Sequence, residues 1–323
     1  MSYQKGSKKA WAGRIDPLGT PDTFYWHQVI ELGDIDTIPA STISKQIVLL
    51  GYESDEGVKR NLGRVGAVEG PSAMRAALSK FALHHDHLAY PIHDVGNVIT
   101  DQDHLESSQL QLANSIARLI GKGYHPVVMG GGHEISYGHF TGIRQAFGSE
   151  AKIGIVNFDA HFDLRAYPNG PHSGSPFRQI LDESKGQGCS FHYLPVGINP
   201  AGNQKALFDV HRQAGQNYIL QSELVGDLTT QKELIDTFTS EVDHVYITLD
   251  LDVMPASAAP GVSAPAAFGV TPEVIRELFL HVLDSEKVVS FDIAELSPKY
   301  DDGRTSKLAA SFIYELVMKY TAS

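Results

Sequence analysis

A single cysteine, Cys189, stands among 323 residues, so no disulfide can form within the chain. A disulfide-stapled secreted scaffold is thereby excluded, and a reducing compartment is the economical reading. No apolar run approaches the roughly 18–20 residues that a membrane span requires. Positive charge is scarce: 26 Lys and Arg against 38 Asp and Glu leave a net charge of −12. Such a surface argues against nucleic acid or an anionic membrane as partner. Residues 1–9 carry charge but no apolar segment, so no secretory leader is expected and the cytoplasm is the expected location.

What remains has the proportions of a globular enzyme, with 42% hydrophobic and 20% charged residues. Strand-like and helix-like runs alternate along it. Strands are predicted at 46–52, 126–129, 152–158, 193–197, 218–220, 245–249 and 287–293. Helices are predicted at 71–83, 105–120, from 134 onward, and at 204–213, 230–239, 271–283 and 306–320. This alternation predicts an α/β fold, a mostly parallel sheet covered by helices on both faces in three αβα layers. One domain is expected over 1–323, with a less regular stretch at 1–45.

Four predicted strands end in polar residues, where open α/β sheets collect their ligands. Strand 126–129 leads into Gly130, Gly131, Gly132, His133 and Glu134, and the glycines allow the close backbone approach that would turn His133 inward. Strand 152–158 leads into Asp159, His161 and Asp163. Strand 245–249 leads into Asp250 and Asp252, and strand 287–293 into Glu295, Ser297 and Pro298. On an extended chain, side chains two residues apart share a face, so each aspartate phrase would present its ligands together. Four carboxylates gathered this way repel one another unless cations sit among them. The candidate metal ligands are therefore His133, Asp159, His161, Asp163, Asp250 and Asp252. An oxygen-rich set with two imidazoles and no thiolate favours Mn²⁺ or Fe²⁺ over structural zinc. Two such ions can share a water and lower its pKa toward neutrality, which points to hydrolysis.

These phrases, with the run Asn61, Gly63, Arg64, Gly66, Ala67, Gly70, Pro71, Ala73 and Arg75, resemble the ureohydrolases, the arginase and agmatinase superfamily, across about residues 45–320. The resemblance implies an arginase-like αβα fold, two Mn²⁺ ions per chain and hydrolysis of a guanidine or amidine C–N bond. It implies that His133, Asp159, Asp163 and Asp250 hold one ion. Asp159, His161, Asp250 and Asp252 hold the other, so Asp159 and Asp250 bridge. It also implies that Glu295 receives the cationic head of the substrate, that Asp163 carries a proton, and that His172 lies near a proton-shuttling histidine.

The chain departs from many relatives in having Gly132 before the first histidine and Glu134 after it. The runs 163–165, 173–179 and 259–265 resemble the branch of the family that hydrolyses N-formimidoyl-L-glutamate to glutamate and formamide in histidine degradation. The substrate is then a small amidine with two carboxylates, for which Arg165 and Arg178 are the candidate partners, with Arg64 a further candidate. Agmatine or a guanidino acid such as guanidinobutyrate is the alternative substrate. A non-enzymatic, metal-stabilised binding protein is the other class, although all six ligand positions and Glu295 are filled by competent residues. A homo-oligomer is open. His84, His85, Asp86 and His87 are expected to be a solvated loop rather than a second metal site. The glycine triplet lacks the lysine and hydroxyl residue of a phosphate loop.

Overall fold

The computed structural model describes residues 2–101 and 103–322. Ten strands form one sheet: β1 (Ser2–Gln4), β2 (Glu31–Leu32), β3 (Gln46–Glu53), β4 (His93–Ile99), β5 (Tyr124–Met129), β6 (Ile153–Phe158), β7 (His192–Ile198), β8 (Ile219–Leu220), β9 (His244–Asp250) and β10 (Val288–Ala294). The spatial order is β1-β4-β3-β5-β10-β9-β6-β7-β8, and all pairings are parallel except β1 with β4. Strand β2 pairs with the beginning of β4 and β1 with its end, so the N-terminal stretch completes one edge of the sheet.

Ten α-helices accompany these strands among the described residues: α1 (Trp26–Val29), α2 (Glu56–Arg60), α3 (Gly70–Leu78), α4 (Leu105–Gly121), α5 (Ile135–Phe147), α6 (Pro176–Gln187), α7 (Lys205–Gln213), α8 (Thr229–Ser240), α9 (Pro272–Leu283) and α10 (Arg304–Thr321). Strand side chains alternate between two cores, because successive residues point to opposite faces. Ile47, Leu49, Val127 and Ile247 pack with Leu78, Leu278 and Ile313 of α3, α9 and α10. Val48, Leu50, Val128 and Tyr246 pack with Leu112, Ile143 and Ile180 of α4, α5 and α6. Both faces are thus dry, which is why the central strands read as unbroken apolar runs.

The differences from the sequence reading have local causes. Helix α3 stops at Leu78 instead of 83 because residues 81–83 leave it to pair with 24–26, through Trp26 N–H to Phe81 O and Leu83 N–H to Phe24 O. The short strands β1 and β2 and strand β4 escaped prediction. Strand β4 carries buried Asp94, which accepts a two-pronged bond from Arg75 and a third from Trp11 Nε1 at 2.6 Å. That junction anchors the first residues to the body. His85 is not solvated but buried edge-on against Trp26 and Tyr90.

Strands β5, β10, β9 and β6 lie side by side, and their ends are level: Met129 pairs with Ile293, Ala294 with Asp250, and Leu249 with Phe158. The sheet therefore delivers all four polar strand ends to one place.

Candidate metal centre

Two aspartate phrases converge, each through a turn of the same kind rather than through an extended chain. Asp159 Oδ1 accepts the His161 N–H at 2.6 Å, and Asp250 Oδ1 accepts the Asp252 N–H at 2.8 Å. Each carboxylate thus closes its own loop and faces the next ligand. Asp163, at the end of the first phrase, has φ of 46°, and Glu295 has φ of 67°. Positive φ is costly for residues with a Cβ and gathers at functional sites; here it marks two of the carboxylates that face the cleft.

The histidine of the glycine turn enters from β5. A Cβ on Gly131 would lie 1.8 Å from Ser54 O, so the backbone can pass there only as glycine. His133 Nδ1 then sits 2.9 Å from Asp163 Oδ2, 3.1 Å from Asp159 Oδ2 and 3.4 Å from Asp250 Oδ2. It is buried and in hydrogen-bonding geometry with none of them. Its other nitrogen, Nε2, is 3.0 Å from Thr248 Oγ1, which donates to Asp292 Oδ1 at 2.6 Å. Asp292 also accepts from Tyr246 OH and lies 2.6 Å from His139 Nδ1. The hydroxyl proton is committed to Asp292, so Nε2 carries a hydrogen and Nδ1 is the nitrogen that would give up its proton to a cation.

Two ligand groups result. His133, Asp159, Asp163 and Asp250 form one, and Asp159, His161 and Asp252 the other, with all ligand atoms of each within 4.8 Å of one another. Asp159 is common to both groups. His161 Nδ1 lies 3.1 Å from Asp252 Oδ2, and Asp252 Oδ1 is buried without a partner.

The electrostatics show a site that calls for cations. Burial opposes charge on His133, yet the neighbouring Asp159 and Asp163 carboxylates hold its pKa well above the usual range. The charge of Asp252 does the same for His161, against burial. Asp250 is pushed well up by burial and by the charges of Asp252 and Asp159. Asp163 rises through burial and the Asp159 charge, and Asp252 through burial. Asp159 alone is lowered, burial being outweighed by His133 and His161. An inward imidazole nitrogen without a hydrogen-bond partner, set among carboxylate oxygens, fits hard divalent ions of the Mn²⁺ class.

A cleft opens onto these groups. It is lined by the ligands His161, Asp163, Asp250 and Asp252 together with Asn61, Arg165, Ser173, Ser263, Ala264 and Glu295. Glu295 Oε1 accepts the His133 N–H at 2.8 Å and Oε2 accepts Ser263 Oγ at 2.5 Å. Burial raises its pKa to about 7, although both donors work the other way.

The remaining sequence candidates separate. Arg165 reaches the cleft, its Nη1 donating to Asn61 Oδ1 at 3.4 Å. Arg178 does not. It lies on α6, one turn before Asp182, and its Nε donates to both Asp182 oxygens at 2.9 Å. Helix α6 was missed in the sequence, though Pro176 at its start and Gly188 in the left-handed cap announce it. His172 also stays outside the cleft lining: Nδ1 accepts the Gly174 N–H at 3.2 Å and Nε2 faces Ala166 O at 3.3 Å. Burial lowers its pKa. Arg64 serves structure, donating to Ser263 O and Val262 O and stacking on Tyr300. Asn61, Ser173, Ser263 and Thr248 were not anticipated. Asn61 opens the glycine-rich signature, Ser263 lies within the run 259–265, and Thr248 gave no signal beyond its nearness to a motif.

The arginase family model matches residues 45–319. A formimidoylglutamase of Geobacillus sp. (strain WCH70) is 43% identical over 98% of this chain and 97% of its own length. One from Rhodococcus jostii (strain RHA1) is 43% identical over 96% and 95%. Among solved structures, Trypanosoma cruzi formiminoglutamase with Mn²⁺ superposes with a TM-score of 0.77 at 25% identity, covering 90% of this chain and 98% of that one. Formimidoylglutamase of Bacillus subtilis shares the fold, with a TM-score of 0.82 over 97% of this chain and 95% of that one, at 23% identity. With the level strand ends, the paired aspartate turns and a family match over most of its length, this chain belongs to the arginase family of hydrolases.

Proposed function

We propose that this chain hydrolyses the formimidoyl C–N bond of N-formimidoyl-L-glutamate, giving L-glutamate and formamide, as a cytoplasmic step of histidine degradation. The observation that carries this reading is the cleft itself, where one buried acid, Glu295, and one arginine, Arg165, face the same space. A cationic amidine joined to a dicarboxylate is complementary to that pairing. Agmatine would bring a second cation to the arginine instead.

His133, Asp159, Asp163 and Asp250 would hold one Mn²⁺, and Asp159, His161, Asp250 and Asp252 the second, with Asp159 and Asp250 shared. When bound, the metal pair supplies a water made acidic enough to attack at neutral pH. Glu295, fixed by Ser263 and the His133 N–H, holds the amidinium and turns the formimidoyl carbon toward that water. Arg165, supported by Asn61, takes a substrate carboxylate. Asp163 accepts a proton from the attacking water and passes it to the departing glutamate nitrogen, so that the amine leaves neutral. His172, outside the cleft lining, would serve only to relay protons between that loop and solvent. Arg178, committed to Asp182, has no part in this scheme.

The test is a substrate panel with Mn²⁺-loaded protein: formimidoylglutamate, arginine, agmatine and guanidinobutyrate, with formamide, urea and the freed amine measured. Preference for formimidoylglutamate is expected. Preference for agmatine or arginine would discard the substrate while leaving the hydrolase class in place.

A further inference from the structure

Glu134 is buried, and its Oε2 has no hydrogen-bond partner. A buried carboxylate is costly to keep, and none of the steps above uses it. It does not cap its own helix, for α5 begins at Ile135 without a side-chain cap. Instead it turns across to another segment: Oε1 accepts Ser54 Oγ at 3.0 Å and Gly57 N–H at 3.1 Å. The backbone is cut back on both sides to make room. A Cβ on Gly132 would lie 2.1 Å from Glu134 Oε2, and one on Gly57 would lie 2.3 Å from its Cδ.

The segment it grips leads to the cleft wall. Gly57 O accepts the N–H of Asn61 at 3.0 Å and of Ser173 at 3.1 Å. Asn61 Nδ2 donates to Ser173 Oγ at 3.1 Å, and Asn61 Oδ1 accepts from Arg165. Arg165 N–H in turn donates to Gly174 O at 3.0 Å. A continuous path thus runs from the turn that carries His133, through Gly57, to the Arg165 guanidinium that lines the cleft.

We infer that Glu134 is a positioning residue for substrate selection: its carboxylate fixes helix α2 against the His133 turn, and so sets where Asn61 and Arg165 meet a substrate carboxylate. This rests on the reading of Arg165 given above. Glu134 touches neither the cleft nor the reacting atoms, so it acts on recognition rather than on the chemical step.

The experiment uses Mn²⁺-loaded protein and two substrates, formimidoylglutamate and an N-alkylformamidine without carboxylates. Glu134→Ala is expected to raise KM for formimidoylglutamate roughly tenfold, the worth of about one hydrogen bond. The alkylformamidine KM and the manganese content should hold. Glu134→Gln keeps one acceptor oxygen and should stay close to the parent. On an Arg165→Ala background, Glu134→Ala should add nothing, because its effect passes through that arginine. Equal losses on both substrates, loss of manganese, or additive losses would overturn the inference. If Glu134→Ala fails to fold, Ser54→Ala, which removes one of the two donors, must show the same substrate-selective rise on a smaller scale. Should the parent leave formimidoylglutamate intact, the proposed function fails, and amide hydrogen exchange judges the positioning role alone. Glu134→Ala, or Ser54→Ala in its place, must then speed exchange at 55–61 and 164–174 but not at 245–250, and unchanged exchange would overturn it.

Discussion

Thr248 Oγ1 lies 3.0 Å from His133 Nε2 and passes its own proton to Asp292, 2.6 Å away, which fixes the face that His133 turns to the carboxylates. A ligand imidazole must offer a lone pair, and here a buried hydroxyl decides which nitrogen offers it. Thr248→Val keeps the shape and removes the acceptor, leaving Nε2–H buried and unpaired. Manganese affinity at the His133 site should fall about 10–100-fold, and Thr248→Ser should restore it. Titration of metal-free protein with Mn²⁺ measures both, and a Val variant that binds like the parent would separate Thr248 from the centre.

Asp159 belongs to both ligand groups. Asp159→Asn replaces an anionic ligand by a neutral and poorer one. Both ions and the activity should be lost together, whereas His133→Ala should weaken chiefly one ion. Elemental analysis after gel filtration distinguishes the two cases; two ions retained per chain in Asp159→Asn would refute the shared role.

Arg165 stands at the rim, solvent-exposed and held by Asn61. Arg165→Ala should leave manganese content unchanged and weaken formimidoylglutamate by roughly 1.5–3 kcal/mol, the range for a charged hydrogen bond. An amidine lacking carboxylates should lose much less. Steady-state kcat/KM for the two substrates provides the comparison, and equal losses would remove Arg165 from the recognition scheme.

How much of this was readable depends on how local the signal was. The aspartate phrases, His133 and Glu295 could be placed because each follows an apolar strand, and parallel strands end together. Their convergence was foreseen for an incomplete reason: an extended chain was expected, and closed aspartate turns with Asp163 at positive φ do the work. Arg178 misled because the sequence around it reads as a loop, while helical spacing hands its guanidinium to Asp182. Ser263 and Thr248 reach Glu295 and His133 across distant segments, and Asn61 meets Arg165 across 104 positions. Such contacts have no signature in a single sequence. Glu134 was visible as a departure from the family pattern, but only its two glycine neighbours in space explain how it fits.

His125 offers a pH test away from the centre. It is buried, and burial first, then the Lys45 charge, lowers its pKa to about 3. The folded state therefore binds its proton less readily than the unfolded chain, where histidine titrates near 6.5. The sign follows: its contribution is complete above about 6.5 and is lost as pH falls toward 3, reaching roughly 2.5 kcal/mol lost by pH 4.5. His125→Phe keeps a ring against Tyr320 and cannot titrate. Denaturant midpoints of chelator-treated protein between pH 7 and 4.5 should fall more steeply for the parent than for the variant. Parallel slopes would show that His125 does not sense acid.

Glu295 should set the acid limb of activity. It must be a carboxylate to hold an amidinium, and burial raises its pKa to about 7, against the donors Ser263 and His133 N–H. Below that value the group is protonated and the substrate's cation loses its partner. kcat/KM should therefore rise as pH increases through the neutral range, with metal saturation maintained so that acid stripping of manganese does not contribute. Ser263→Ala removes the donor at 2.5 Å that favours the charged form. The limb of that variant should move to higher pH, while the rate at alkaline pH, where Glu295 is ionised in both proteins, converges toward the parent. A limb that stays in place, or one that moves to lower pH, would show that Glu295 is not the group whose ionisation governs substrate capture.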